Sequence, residues 1–109
     1  MTYFDTMKPD LHNASNGFLS LDFGDYDSPL ATSISDFLET DCGFSRDGPA
    51  AFGMDGGVWP NFVRSEIVLA AGWDNWSGQY LLSNSKEGNE ILRQIFGMIS
   101  LDNEFKKIS

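Results

Sequence analysis

The sequence predicts an α+β domain, a small antiparallel sheet with two or so helices packed on it in a single layer. Three observations predict it. Gly17–Phe23 (GFLSLDF) alternates apolar and polar side chains with the period of a half-buried strand. Val63–Trp73 and Gln79–Ser83 flank turn-forming residues, as the arms of a hairpin do. Residues 28–40 and 85–99 instead repeat their apolar side chains at helical spacing.

In the first strand Leu19, Leu21 and Phe23 share the core face, while Ser20 and Asp22 point outward. Asp25, Tyr26, Asp27 and Ser28 then make a turn. Ser28-Pro29 opens a helix, with serine as N-cap and proline at the first helical position. Leu30, Ile34, Phe37 and Leu38 form its apolar stripe through Thr40. Glu39 and Asp41 sit at its C-terminal end, where the helix dipole disfavours anions by about 0.3–1 kcal/mol each when exposed.

Cys42–Pro60 holds five glycines and two prolines in nineteen residues, which excludes a continuous helix or a central strand. Phe44, Phe52, Met54 and Trp59 are too apolar for a free linker. An ordered loop with one short strand near Ala50–Met54 is expected. After it, Val63, Ile67, Leu69, Ala71 and Trp73 make one apolar face, and residues 74–78 turn the chain into the second arm. Asn84 or Ser85 caps the last helix, with Glu87 in its first turn and Ile91, Leu92, Ile95, Phe96 and Ile99 as its stripe. Gly88 and Gly97 each weaken that helix by roughly 1 kcal/mol relative to alanine. Residues 1–16 read as an irregular or partly extended arm and 101–109 as a polar tail, so 1–109 is read as one domain. There are no internal repeats.

The 109 residues carry 16 acidic and 7 basic side chains, a net charge of −9. Residues 1–60 hold ten acids against Lys8 and Arg46, hence −8; residues 61–109 hold six acids against five bases, hence −1. Such a field repels nucleic acid and anionic lipid and draws in basic partners; the plain alternative is that acidity serves solubility. A single cysteine, Cys42, forms no internal disulfide, and the N-terminus lacks a signal-peptide pattern, so a cytoplasmic location is expected.

Catalytic constellations are hard to assemble from these residues. His12 is the sole imidazole, so a Ser or Cys nucleophile has one possible base. The glycines lack phosphate-loop spacing. Carboxylates are so abundant that no pair is singled out for glycoside hydrolysis. A lone His12 in LHNAS reads as a surface histidine rather than a metal ligand. Asp22, Asp25 and Asp27 lack the glycine and terminal glutamate of a calcium loop and read as a solvated turn. No enzyme activity, cofactor or metal is expected.

The tryptophans remain. Trp59, Trp73 and Trp76 flank turns; core packing accounts for Trp73, while Trp76 and Trp59 are candidate aromatic anchors for a partner. The short acidic chain, its segment GWDNWSGQYLLS and the amphipathic helix that follows resemble bacterial toxin-immunity proteins of the contact-dependent growth inhibition type. That resemblance implies a stoichiometric inhibitor that covers the cleft of a basic, nuclease-type toxin, binds neither nucleic acid nor membrane itself, and is a monomer or weak dimer when free. The partner-binding residues expected are Asp22, Asp25, Tyr26, Asp27, Asp36, Glu39, Asp41, Asp55, Trp59, Asp74 and Trp76. A nucleic-acid mimic acting on a host DNA- or RNA-binding protein, or an accessory subunit, are the competing readings.

Overall fold

Alternating strands need a partner layer for their apolar face, and the two amphipathic helices supply it. In a computed structural model that describes residues 9–24, 29–54, 56–74 and 78–99, the chain is α+β, a seven-stranded antiparallel sheet with helices on one face. The strands are β1 (Asp10–Asn13), β2 (Leu19–Asp22), β3 (Ser45–Asp47), β4 (Ala51–Phe52), β5 (Gly56–Arg64), β6 (Ile67–Asp74) and β7 (Gly78–Ser83). Their order is β1-β2-β7-β6-β5-β3, and β4 also pairs with β5. The helices are α1 (Pro29–Asp36), which continues into a π-helical turn at Phe37–Asp41, and α2 (Lys86–Met98).

Strand register sorts the side chains into two faces. Leu11, Leu21, Leu81, Ala71 and Trp59 stand directly opposite one another across five strands. This row joins Leu30, Ile34, Phe37 and Leu38 of the first helical segment and Ile91, Leu92, Ile95 and Met98 of α2 in one buried cluster. The parallel row on the opposite face is Asp10, Asp22, Tyr80, Gly72 and Val58, and the apolar stripes of both helices lie on the other side. Leu19, Leu21 and Phe23 are buried as the alternation of β2 requires.

Several elements differ from expectation, each for a local reason. The arm before residue 17 contains an edge strand, β1, registered on β2 from Asp10↔Asp22 to Asn13↔Leu19. The helix expected through Thr40 widens after Asp36, and the Cys42 amide donates to the Phe37 carbonyl five residues back, 3.0 Å away. Residues 42–60 hold three strands or parts of strands rather than a loop with one. Pro60 is tolerated within β5 because the register shifts between Trp59 and Phe62: Pro60 and Asn61 together oppose a single residue of β6, a bulge. Arg46 grips this bulge, its Nε and Nη2 donating to the Pro60 carbonyl at 3.1 and 2.9 Å. Its guanidinium also lies 3.8 Å from the centre of the Phe62 ring.

The strand expected over Val63–Trp73 is broken at a two-residue turn, Ser65-Glu66, which joins β5 to β6 between the pair Arg64↔Ile67. The β6–β7 hairpin forms as expected, closed by Asp74↔Gly78. Ser85 caps α2, its side chain accepting from the Gly88 amide at 3.0 Å, while Asn84 Oδ1 accepts from the Val68 amide instead. Phe96, placed on the buried stripe by spacing, is 39% exposed, and Met98 takes the buried position.

Candidate functional site

Two regions bring together the residues singled out by sequence, and the sheet separates them. The first lies where α1 and its π-helical end cross the covered face. Phe23, Ile34, Phe62, Ala71, Leu81 and Trp59 wall a cleft of about 300 Å³, with Asp36 and Arg46 also in its lining. Trp59 stands inside β5 and not at a turn, as the sequence had implied. It is half-buried, its indole Nε1 donates to Gln79 Oε1 at 3.2 Å, and the Phe52 ring meets it edge-on at 4.9 Å between centroids.

Asp36, Glu39 and Asp41 follow one another along the exposed end of the helical segment. The backbone carbonyls there already carry partial negative charge. Arg46 Nη1 lies 3.6 Å from Glu39 Oε2. Burial lowers the Arg46 pKa and Glu39 opposes that shift, so the guanidinium stays a cation. Cys42 closes this end. Its thiol is pushed up by burial, against the nearby Arg64 charge and with Asp41 adding to the rise. β1, with His12, and β3, which follows Cys42, are the two opposite edges of the sheet. The thiol and the imidazole therefore do not form a nucleophile–base pair.

The second region lies on the opposite face, at the β1–β2 edge. Asp22 and Asp74 share it, Asp22 from the row through Tyr80 and Asp74 two residues beyond Gly72. Asp10 joins them, directly opposite Asp22. His12 stands between the two carboxylates, its Nδ1 2.8 Å from Asp10 Oδ2 and 3.9 Å from Asp22 Oδ2. Asp22 is the most enclosed of the three, with a side chain 20% exposed. Burial raises its pKa; His12 opposes the rise, Asp10 and Asp74 add to it, and a hydrogen bond from Ser20 opposes it. Tyr80 is raised by burial first and by Asp74 second. Its phenol lies across Gly72, where a Cβ would fall 2.4 Å from the hydroxyl oxygen.

Of the expected partner-binding residues, Asp36, Glu39, Asp41 and Trp59 thus belong to the helix side, and Asp22 and Asp74 to the opposite sheet face. Asp25, Tyr26, Asp27, Asp55 and Trp76 lie outside the described residues. Sequence reading missed the company of His12, which it left as an isolated surface imidazole. The pairing of Asp10 with Asp22 depends on a strand register that no local pattern announces. No helix among the described residues is long and apolar enough to cross a membrane. The chain matches no family model, no curated protein and no solved structure.

Proposed function

We propose that this chain is a binding protein of the toxin-immunity type, acting in the cytoplasm, which neutralises a basic toxin domain by covering its cleft. The observation that supports this best is the helix-end group Asp36, Glu39 and Asp41, exposed beside an open cleft walled by Trp59 and Phe62. Anions at a helix C-terminus oppose the dipole; Arg46 offsets part of this at Glu39, and local costs of this kind tend to fall at functional sites, where a cationic partner would offset more. A cationic cleft shaped for phosphates is such a partner, because carboxylates occupy the positions of the phosphates. The nearby tryptophan supplies the aromatic anchor such interfaces centre on.

The test is association with the toxin domain encoded beside this chain, measured by stopped flow. Electrostatic steering carries association toward about 10⁸–10⁹ M⁻¹s⁻¹ at low salt and falls steeply as salt rises. The combined variant Asp36→Lys, Glu39→Lys, Asp41→Lys should slow association by about tenfold or more, with dissociation changed less. Association indifferent to both salt and charge reversal would discard the reading, as would failure to bind that domain at all.

A further inference from the structure

We propose that Asp10, His12 and Asp22 form a binding site for a borderline divalent cation, Zn²⁺, held by one imidazole nitrogen and two carboxylate oxygens at the β1–β2 edge, on the sheet face opposite the helices. The site is independent of the toxin-neutralising reading and lies on the other face of the sheet.

The register builds it. Asp10 and His12 are two residues apart on one strand and so project from the same face, and Asp22 stands opposite Asp10 on the next strand. One donor atom from each of the three lies within 4.8 Å of the other two. A zinc ion about 2.0–2.2 Å from N and O donors requires donor atoms roughly 3–4 Å apart. The 2.8 Å His12–Asp10 contact therefore opens slightly and the 3.9 Å His12–Asp22 gap holds or closes slightly. Asp10 and His12, with side chains 64% and 44% exposed, have room to make these adjustments.

Three features favour an ion over a simple imidazolium pair. Like charges directly opposite on neighbouring strands destabilise a sheet, yet Asp10 faces Asp22, and the charge of Asp74 also reaches Asp22. One imidazolium offsets a single charge, whereas a divalent ion bound to two carboxylates balances both. Next, the enclosed ligand has a polar neighbour on the same face. Ser20, a residue 7% exposed, stands opposite His12, and its side chain hydrogen-bonds the Asp22 carboxyl, as partners of ligating carboxylates do. Finally, Asp22 belongs to a strand paired on both sides, by β1 and by β7, so it is held on a rigid element.

The donor set chooses the metal. An imidazole nitrogen suits zinc and its neighbours in the first transition row and not magnesium or calcium, which take oxygen donors. Three protein ligands leave a tetrahedral ion one position for water.

The experiment is calorimetric titration of the chelator-stripped full chain with zinc chloride in a non-coordinating buffer, repeated by absorption with cobalt(II). The expected result is one saturable site per chain. His12→Ala should abolish it, and Asp22→Asn and Asp10→Asn should each weaken it by tenfold or more, while Asp47→Asn leaves it unchanged. Far-ultraviolet circular dichroism establishes that each variant is folded. The isosteric Asp22→Asn keeps the question answerable if His12→Ala perturbs the edge strand. Absence of saturable uptake overturns the site. So does affinity that survives both asparagine variants within twofold, since that is binding by an imidazole alone.

Discussion

A methyl group added at Gly88 and one added at Gly97 meet opposite surroundings, although both glycines lie in α2 and both forfeit helix propensity. At Gly88 a Cβ would fall 2.4 Å from Ser83 Oγ and 3.3 Å from Leu69 Cδ2. Ser83 is fully buried, and its hydroxyl is committed, donating to the Ser85 carbonyl at 2.8 Å and accepting from the Ser85 amide at 3.2 Å. Gly88 is therefore what lets the first turn of α2 rest on β7. At Gly97 no atom lies within 4 Å of the added carbon. Gly88→Ala should accordingly destabilise the protein by about 1–3 kcal/mol, as overpacking does. Gly97→Ala should stabilise it by up to about 1 kcal/mol. Urea midpoints at unchanged m-value separate the two; shifts of the same sign would mean that propensity alone governs both positions. From sequence the two glycines look alike, because the difference lies in what crosses above them. The same blindness hid the surroundings of His12, which depend on Asp22 from another strand.

At the scale of elements, the Ser65-Glu66 turn carries the clearest local strain. Ser65 has φ 55°, the left-handed region, with a side chain that prefers other backbone angles. Asparagine enters that region more readily, so Ser65→Asn should raise stability by a few tenths to about 1 kcal/mol. Ser65→Val, β-branched, should lower it. A thermal midpoint that moves in the same direction for both would show that side-chain contacts and not backbone conformation decide the turn. This turn was illegible because serine and glutamate are not the residues that two-residue hairpins select; the alternation simply ran through it. Elsewhere the elements were legible in proportion to how one-sided their burial is. α2 buries one face and exposes the other, and its pattern reported it; β2 was legible from its apolar residues, although Ser20, expected to point outward, is buried as well. β1 is a polar edge strand with no apolar row to announce it. The first half of β5 was obscured by Gly56, Gly57 and Pro60. The glycines admit close neighbours, with Trp73 O 2.6 Å from a Cβ built at Gly56 and the Phe52 ring 2.8 Å from one at Gly57. The proline sits in a bulge, where its missing N–H does no harm.

At the scale of the whole molecule, charge in chain order does not map onto charge in space. β2 from the acidic half lies between β1 and β7, so Asp22 and Asp74, from different halves, share one face, while Asp36, Glu39 and Asp41 lie across the sheet. Among the described residues, carboxylates of this chain of net charge −9 thus stand on both faces of the sheet. The Debye length is about 30 Å at 0.01 M salt and about 8 Å at 0.15 M. At low salt carboxylates on opposite sides repel one another, and at physiological salt only near neighbours do. Self-repulsion of this kind destabilises the compact state. Raising sodium chloride from 10 to 150 mM should therefore raise the thermal midpoint of the free protein. A gain near 1 kcal/mol would appear as a shift of roughly 4 °C or a little more for a chain of this size. Opposing it are local attractions that salt weakens, chiefly Glu39 with Arg46 and Glu90 with Arg93. The second pair is exposed and the first half-exposed, and surface pairs contribute only about 0–1 kcal/mol each. A midpoint that falls with added salt would mean that these two pairs outweigh the long-range repulsion. The combined reversal of Asp36, Glu39 and Asp41 to lysine should flatten the salt dependence, because it brings the net charge from −9 to −3, each of three replacements adding two.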